Sequence, residues 1–206
     1  MLGDSAGGNL AAAVALKLRD VQFHPRPKLQ LLFYPVLQGI DFQLPSMMRN
    51  RVGRRLTAGA MCHYVAMYLE GRGDNRDTYC NNSHVDPAVL QLYRQRFLNT
   101  DLLPDKYRQN YIRPSSSSPV DQQLWTRLKD KLLNPYFSPL VAERLTGLPE
   151  AFVLTIENDP LRDEAMLYAR RLTDAGVRVT HLHQQGFHGD LQTRLDDVIA
   201  YCRQRL

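Results

Sequence analysis

The chain has 206 residues, 44% of them hydrophobic and 23% charged, which are the proportions of a globular protein with one main domain. Its formal charge of +5 gathers into one visible cluster, Arg49, Arg51, Arg54 and Arg55, with no zinc-finger spacing or aromatic pattern beside it, so the basic residues read as a solvated face and nucleic acid is excluded as a partner. Three cysteines, Cys62, Cys80 and Cys202, are too few and too scattered for a disulfide framework and form no Cys-x-x-Cys unit.

The first element is a strand-turn-helix signal. Apolar Leu2 precedes Gly3-Asp4-Ser5-Ala6-Gly7, and the alanine-rich run Ala11 to Leu16 follows. Gly-x-Ser-x-Gly in that setting is a nucleophile elbow, in which small neighbours let the chain bend sharply and leave the serine hydroxyl exposed. The positive end of the following helix points at the serine, where an oxyanion would develop. The helix is expected from Asn9 to about Arg19, with Leu10, Ala13, Val14 and Leu18 on its buried face.

Leu29-Gln30-Leu31-Leu32-Phe33-Tyr34, stopped by Pro35, reads as a strand covered on both faces and completes a β-α-β unit. Between about 40 and 135 the composition shifts to arginines, tyrosines and polar turns without a clean strand. Helices are expected at Leu56 to Glu70, Pro87 to Phe97 and Leu124 to Leu133, with a flexible loop at Arg113 to Pro119. A segment of that size with its own helices is expected to be a cap or lid within a single α/β domain spanning 1–206. The regular pattern resumes with a strand at Ala151 to Ile156, a helix from Leu161 to Leu172 ending at Gly176, a strand from Val177 to His183 and a last helix carrying Leu195, Val198, Ile199 and Cys202, the last of these expected to be buried.

In open α/β sheets functional groups gather beyond the carboxyl ends of the strands. Ser5, Asp159 and His188 all fall there, in the chain order Ser, Asp, His that distinguishes α/β-hydrolases from the best-known serine protease folds. His188 would take the proton of Ser5 and return one to the leaving alcohol, while Asp159 orients the imidazole. Asp163 and Glu164 compete with Asp159, but they fall in a first helical turn, where carboxylates commonly stabilise the helix. His181 and His183 share one face of a strand without a clear third ligand, so a surface or packed role is expected and no metal or other cofactor is required.

These motifs, together with Tyr34-Pro35-Val36-Leu37-Gln38, Ser138-Pro139-Leu140, Gly147-Leu148-Pro149, Asp159-Pro160-Leu161-Arg162-Asp163-Glu164, Ala175-Gly176-Val177 and Gly186-Phe187-His188-Gly189, make the chain similar to the hormone-sensitive-lipase-like α/β-hydrolases, and within them to the arylacetamide deacetylase group. The resemblance implies an α/β-hydrolase fold, a mostly parallel sheet flanked by helices with a helical cap, and the triad Ser5, Asp159 and His188. It also implies a His-Gly-Gly-Gly loop and several strands ahead of the nucleophile, and for the arylacetamide deacetylase-like members a membrane anchor facing the endoplasmic reticulum lumen. None of these is in this sequence, which shows no signal peptide and no apolar run of membrane-spanning length. Of the oxyanion hole, the resemblance leaves the amide of Ala6. The chain is therefore expected to be the C-terminal portion of such an enzyme, a truncated product with an open sheet edge and an uncovered apolar face. Asn81-Asn82-Ser83 is a glycosylation sequon, which matters only on the secretory route.

Two functions stay open. One is hydrolysis of small apolar carboxylic esters or arylacetamides through an acyl-enzyme on Ser5. The other is a catalytically weak or inactive fragment that acts, if at all, by association with another chain.

Overall fold

Strands buried on both faces are nearly continuous apolar runs, and Leu29 to Phe33 is buried at all five positions, its one polar residue, Gln30, donating Nε2 to the Pro149 carbonyl at 3.0 Å. In the computed structural model, which describes residues 1–53, 55–114, 119–191 and 195–205 apart from the side chains of Leu195 and Asp197, this run lies inside a four-stranded sheet. The elements in order are β1 (Leu2–Asp4), α1 (Ser5–Asp20), β2 (Leu29–Phe33), α2 (Pro45–Arg49), α3 (Ala58–Glu70), α4 (Arg76–Cys80), α5 (Pro87–Arg96), α6 (Asp105–Arg108), α7 (Gln122–Leu132), β3 (Glu150–Asn158), α8 (Arg162–Asp174), β4 (Val179–Phe187) and α9 (Leu195–Arg205). Every pairing is parallel and the spatial order is β1-β2-β3-β4.

Because successive strands are added in one direction, the crossing helices α1 and α8 share a face of the sheet. There Leu32, Ala151 and Val153 pack with Ala12, Leu16, Ala165 and Leu172. On the other face Leu31, Phe33, Phe152 and Leu154 pack with Val198 and Tyr201 of α9. The chain thus folds as a parallel sheet flanked by helices, as its repeating strand-helix pattern predicts.

Three details depart from expectation. Helix α1 starts at Ser5, and its buried side is the alanines with Leu16, while Leu10 is 61% and Val14 45% exposed. The methyl groups of Ala11, Ala12 and Ala15 let the helix lie close to the sheet, so the bulkier Leu10 and Val14 face away from it. Strand β4 extends to Phe187, past the expected end at His183, because its pairing with β3 resumes at Asn158–Phe187 after an irregularity at Ile156. Cys62 and Cys80 form a disulfide, although the cysteines are scattered in sequence, because α4 turns back alongside α3. Cys202 is free and half-buried.

The stretch from α2 to α7 contains no strand among the described residues. Local chemistry sets its helix ends. Thr57 accepts a hydrogen bond from the Ala60 amide at the start of α3, and Gly71 ends that helix at φ +75°. Asp86 accepts from the amides of Ala88 and Val89 at the start of α5, and Asp121 from Leu124 at the start of α7. Arg94 of α5 and two loop residues converge on buried Asp41, which accepts from Arg94 at 2.7 Å, Arg113 at 2.6 Å and Asn82 at 2.7 Å. Burial pushes the Asp41 carboxyl up, but the Arg94 hydrogen bond and the two guanidinium charges outweigh it and hold the group below the usual carboxylate range.

Of the arginine cluster, Arg49 donates to the Lys106 carbonyl and Arg55 pairs with Asp190, while Arg54 lies outside the described residues, as do Ser115 to Ser118. Among the described residues no helix is long and apolar enough to cross a membrane.

Candidate active site

Strand β1 ends at Asp4 and the next residue, Ser5, adopts φ +52°, a left-handed conformation that costs a residue with a side chain and persists only where the surroundings fix it. Two glycines do the fixing. A Cβ on Gly3 would lie 2.1 Å from the Gly7 carbonyl oxygen, and one on Gly8 would lie 2.8 Å from Cβ of Pro35. The turn can close only without those side chains. Ala6 follows in the first turn of α1 and borders the same cavity as Ser5.

Asp159 lies just beyond β3 and is fully buried, with Oδ1 accepting from the Leu161 amide at 2.8 Å. His188 follows β4 directly, between Gly186 at φ +123° and Gly189 at φ +90°. Its loop is braced by Asp190, whose carboxylate accepts from the Phe187 amide at 2.7 Å and pairs with Arg55 at 3.1 Å. The three side chains meet: His188 Nδ1 is 2.8 Å from Asp159 Oδ2, and Nε2 is 3.0 Å from Ser5 Oγ. A carboxylate only accepts, so the ring proton belongs on Nδ1 and Nε2 is left to accept from the serine hydroxyl.

Ser5 and His188 open onto a cavity of about 480 Å³ walled by Leu10, Leu56, Met61, Tyr68 and Phe137. Tyr68 and Phe137 stack there with centroids 5.7 Å apart and planes 13° from parallel. Asn9 holds this side together by donating to the carbonyls of Val36 at 3.0 Å and Phe137 at 2.9 Å. A larger cavity of about 680 Å³, bordered by Arg51, His63 and Arg76, contains none of the three converging groups. Chemistry and apolar walls coincide only in the smaller one, which can hold an apolar group with a polar bond beside the hydroxyl.

The competing residues are elsewhere. His181 Nε2 and His183 Nδ1 both meet Thr155 Oγ1, at 2.8 and 2.9 Å, and His183 Nε2 meets Glu157 at 2.9 Å. Among the described residues no group of three or more His, Cys, Asp or Glu side chains is placed to hold a metal ion.

Asp163 and Glu164 do lie in the first turn of α8, but both are fully buried and are not mere surface partners of the helix end. Asp163 accepts from the Ser46 amide at 2.6 Å; Glu164 accepts from the Leu37 amide at 2.6 Å and from Gln38 Nε2 at 2.8 Å. Burial pushes the Glu164 carboxyl up to about 8 despite those two donors. These acids fasten the segment that leaves β2 and runs into the helical stretch. Sequence reasoning missed that role, and the available signal was the presence of Tyr34-to-Gln38 and Asp159-to-Glu164 as two distinctive segments with no partner assigned to either.

Comparison with known proteins places this geometry. The profile of a family described as having the alpha/beta hydrolase fold matches residues 1–100 and 85–191. Human arylacetamide deacetylase-like 4 is 37% identical over 196 residues, covering 92% of this chain and 47% of the relative. Rat neutral cholesterol ester hydrolase 1 is 39% identical over 193 residues, covering 91% and 47%. The crystal structure of a thermostable esterase from Pseudomonas putida superposes with a TM-score of 0.57 at 27% identity, covering 99% of this chain and 48% of that one. The chain spans about half the length of the curated relatives it matches. With a parallel sheet, a serine on a strained strand-to-helix turn and esterases among its matched relatives and structural neighbours, the chain belongs to the α/β-hydrolase family.

Proposed function

We propose that this chain carries serine carboxylic ester hydrolase chemistry, acting on esters or arylacetamides with an apolar acyl group. Ser5 is the nucleophile, His188 the general base and acid, and Asp159 the group that orients and charge-stabilises the imidazole. As Ser5 Oγ attacks the acyl carbon, its proton passes to His188 Nε2 and the carbonyl electrons collect on oxygen. The Ala6 amide, at the positive end of α1, donates to that oxyanion. Collapse expels the alcohol or amine with the proton from Nε2 and leaves an acyl group on Ser5. Water, deprotonated by the same nitrogen, then releases the acid.

The observation that carries this reading is the unbroken line Ser5–His188–Asp159, at 3.0 and 2.8 Å, opening onto an apolar cavity. Names such as neutral cholesterol ester hydrolase and arylacetamide deacetylase among the relatives support the substrate class. A second reading, that the chain by itself is a weak catalyst and works through association, is supported by exposed Leu2, Leu10 and Val14 beside β1, which pairs on one side only among the described residues.

One experiment separates the two. The purified chain and Ser5→Ala are treated with a fluorophosphonate probe and assayed on short-chain nitrophenyl esters. Ser5-dependent labelling with turnover is expected; a folded chain showing neither would rule out the first reading and leave the second.

A further inference from the structure

The strand β2 is followed at once by Tyr34-Pro35-Val36, and each of these residues touches a different part of the site. Tyr34 adopts φ +36°, inside the left-handed region that a residue bearing a side chain enters only when its surroundings hold it there. Its amide donates to the Leu154 carbonyl at 2.8 Å, so the strand that leads to Asp159 pins it. Its ring is only 2% exposed and stands against the imidazole of His188, with centroids 4.8 Å apart and planes 64° from parallel. Pro35 lies against Gly8 of the nucleophile turn, and the Val36 amide donates to the Ser5 carbonyl at 3.2 Å. One short segment therefore registers the serine turn with its backbone and the histidine with a side chain.

A histidine between a serine and a carboxylate is held at its two nitrogens, and those bonds do little to stop the ring swinging sideways about the line joining them. The His188 loop is braced through its backbone, with Asp190 accepting from the Phe187 amide at 2.7 Å, and that fixes where the residue sits without fixing how its ring is turned. A packed aromatic ring supplies a restraint on that side, because a tilt of the imidazole toward it drives the two rings together. We propose that Tyr34 is a positioning residue for His188: its ring, fixed by the strained backbone just after β2, keeps the imidazole in line between Ser5 Oγ and Asp159 Oδ2. The proposal rests on the reading of Ser5 and His188 as nucleophile and base. It assigns the effect to the ring, so the hydroxyl is dispensable.

The test compares Tyr34→Phe and Tyr34→Leu with the unaltered chain, using fluorophosphonate labelling rate, kcat and KM on a nitrophenyl ester, and nitrogen-15 histidine spectra in which His188 is assigned by its loss in His188→Ala. In Tyr34→Phe all readouts are expected within twofold of the original, with a single Nδ1–H tautomer at His188. In Tyr34→Leu, kcat and labelling are expected to fall about tenfold or more with little change in KM, and His188 to populate both tautomers. An unchanged Tyr34→Leu overturns the proposal, and so does a Tyr34→Phe that loses as much as Tyr34→Leu, since that would place the effect in the hydroxyl. If Tyr34→Leu does not fold cooperatively, Tyr34→Met, whose unbranched side chain adapts to an irregular space, takes its place under the same criteria. A chain without labelling or turnover overturns the catalytic reading alone, because the tautomer of the resting histidine still decides for or against Tyr34.

Discussion

The two ends of the chain and its helical middle meet at one cavity and bring different things to it. From the ends come Ser5, Asp159 and His188, polar groups fixed by hydrogen bonds of 2.8 and 3.0 Å and by turns whose glycines admit no substitute. From α3 and the loop before it come Leu56, Met61 and Tyr68, which offer mainly apolar surface. Only groups whose interactions strengthen in the transition state raise kcat, whereas uniform contact with a bound acyl chain sets KM. On the proposed reading, reaction rate is expected to depend on the first group and substrate fit mostly on the second.

The sharpest way to break that division is at the histidines. His188→Ala is expected to lower kcat/KM by about 10³-fold or more. His181→Ala, which loses a hydrogen bond with Thr155, should leave it nearly unchanged, and equal losses measured on a nitrophenyl ester would show that the base is misassigned.

A second break lies in the fastening between the two regions. Glu164 keeps its proton up to about pH 8 when folded but releases it near 4.5 when exposed, so the folded chain is the better proton binder between those values. Stability should then fall as pH rises from 5 to 8. In Glu164→Gln that slope should flatten, which thermal melting across the interval will measure; an equally steep slope would remove Glu164 as its source.

The smallest expected effect is in the wall. Tyr68→Ala removes one of two stacked rings from the apolar wall and should raise KM for longer acyl esters more than for short ones while sparing kcat. A fall in kcat with unchanged KM would mean that the helical middle takes part in the chemical step.

Most of the frame was legible because its signals are local. Apolar runs stopped by Pro35 and by Glu157-Asn158 mark strands, and Gly3 and Gly7 around Ser5 mark a turn that only small residues permit. Chain order then placed Asp159 and His188 in equivalent loops. What could not be read were relations between distant segments. Nothing local tells that Glu164 reaches the Leu37 amide, that Cys62 meets Cys80, or that Tyr34 stands beside His188. The misjudged face of α1 has a similar origin, since periodicity ranks leucine and valine as most buried while the sheet selected the alanines that let it come close.

Ser5 and His188 are separated by 183 positions along the chain and yet stand 3.0 Å apart. Contacts of such separation are closed late, after shorter loops have paid most of their entropy, and here β4 must first pair with β3 before His188 can arrive. Helical content can be regained while the serine is still unreactive, because α3, α5 and α7 depend mainly on near neighbours for their ends. On the proposed reading, reactivity at Ser5 is expected to be among the last properties to return during refolding, and would report completion of the whole fold.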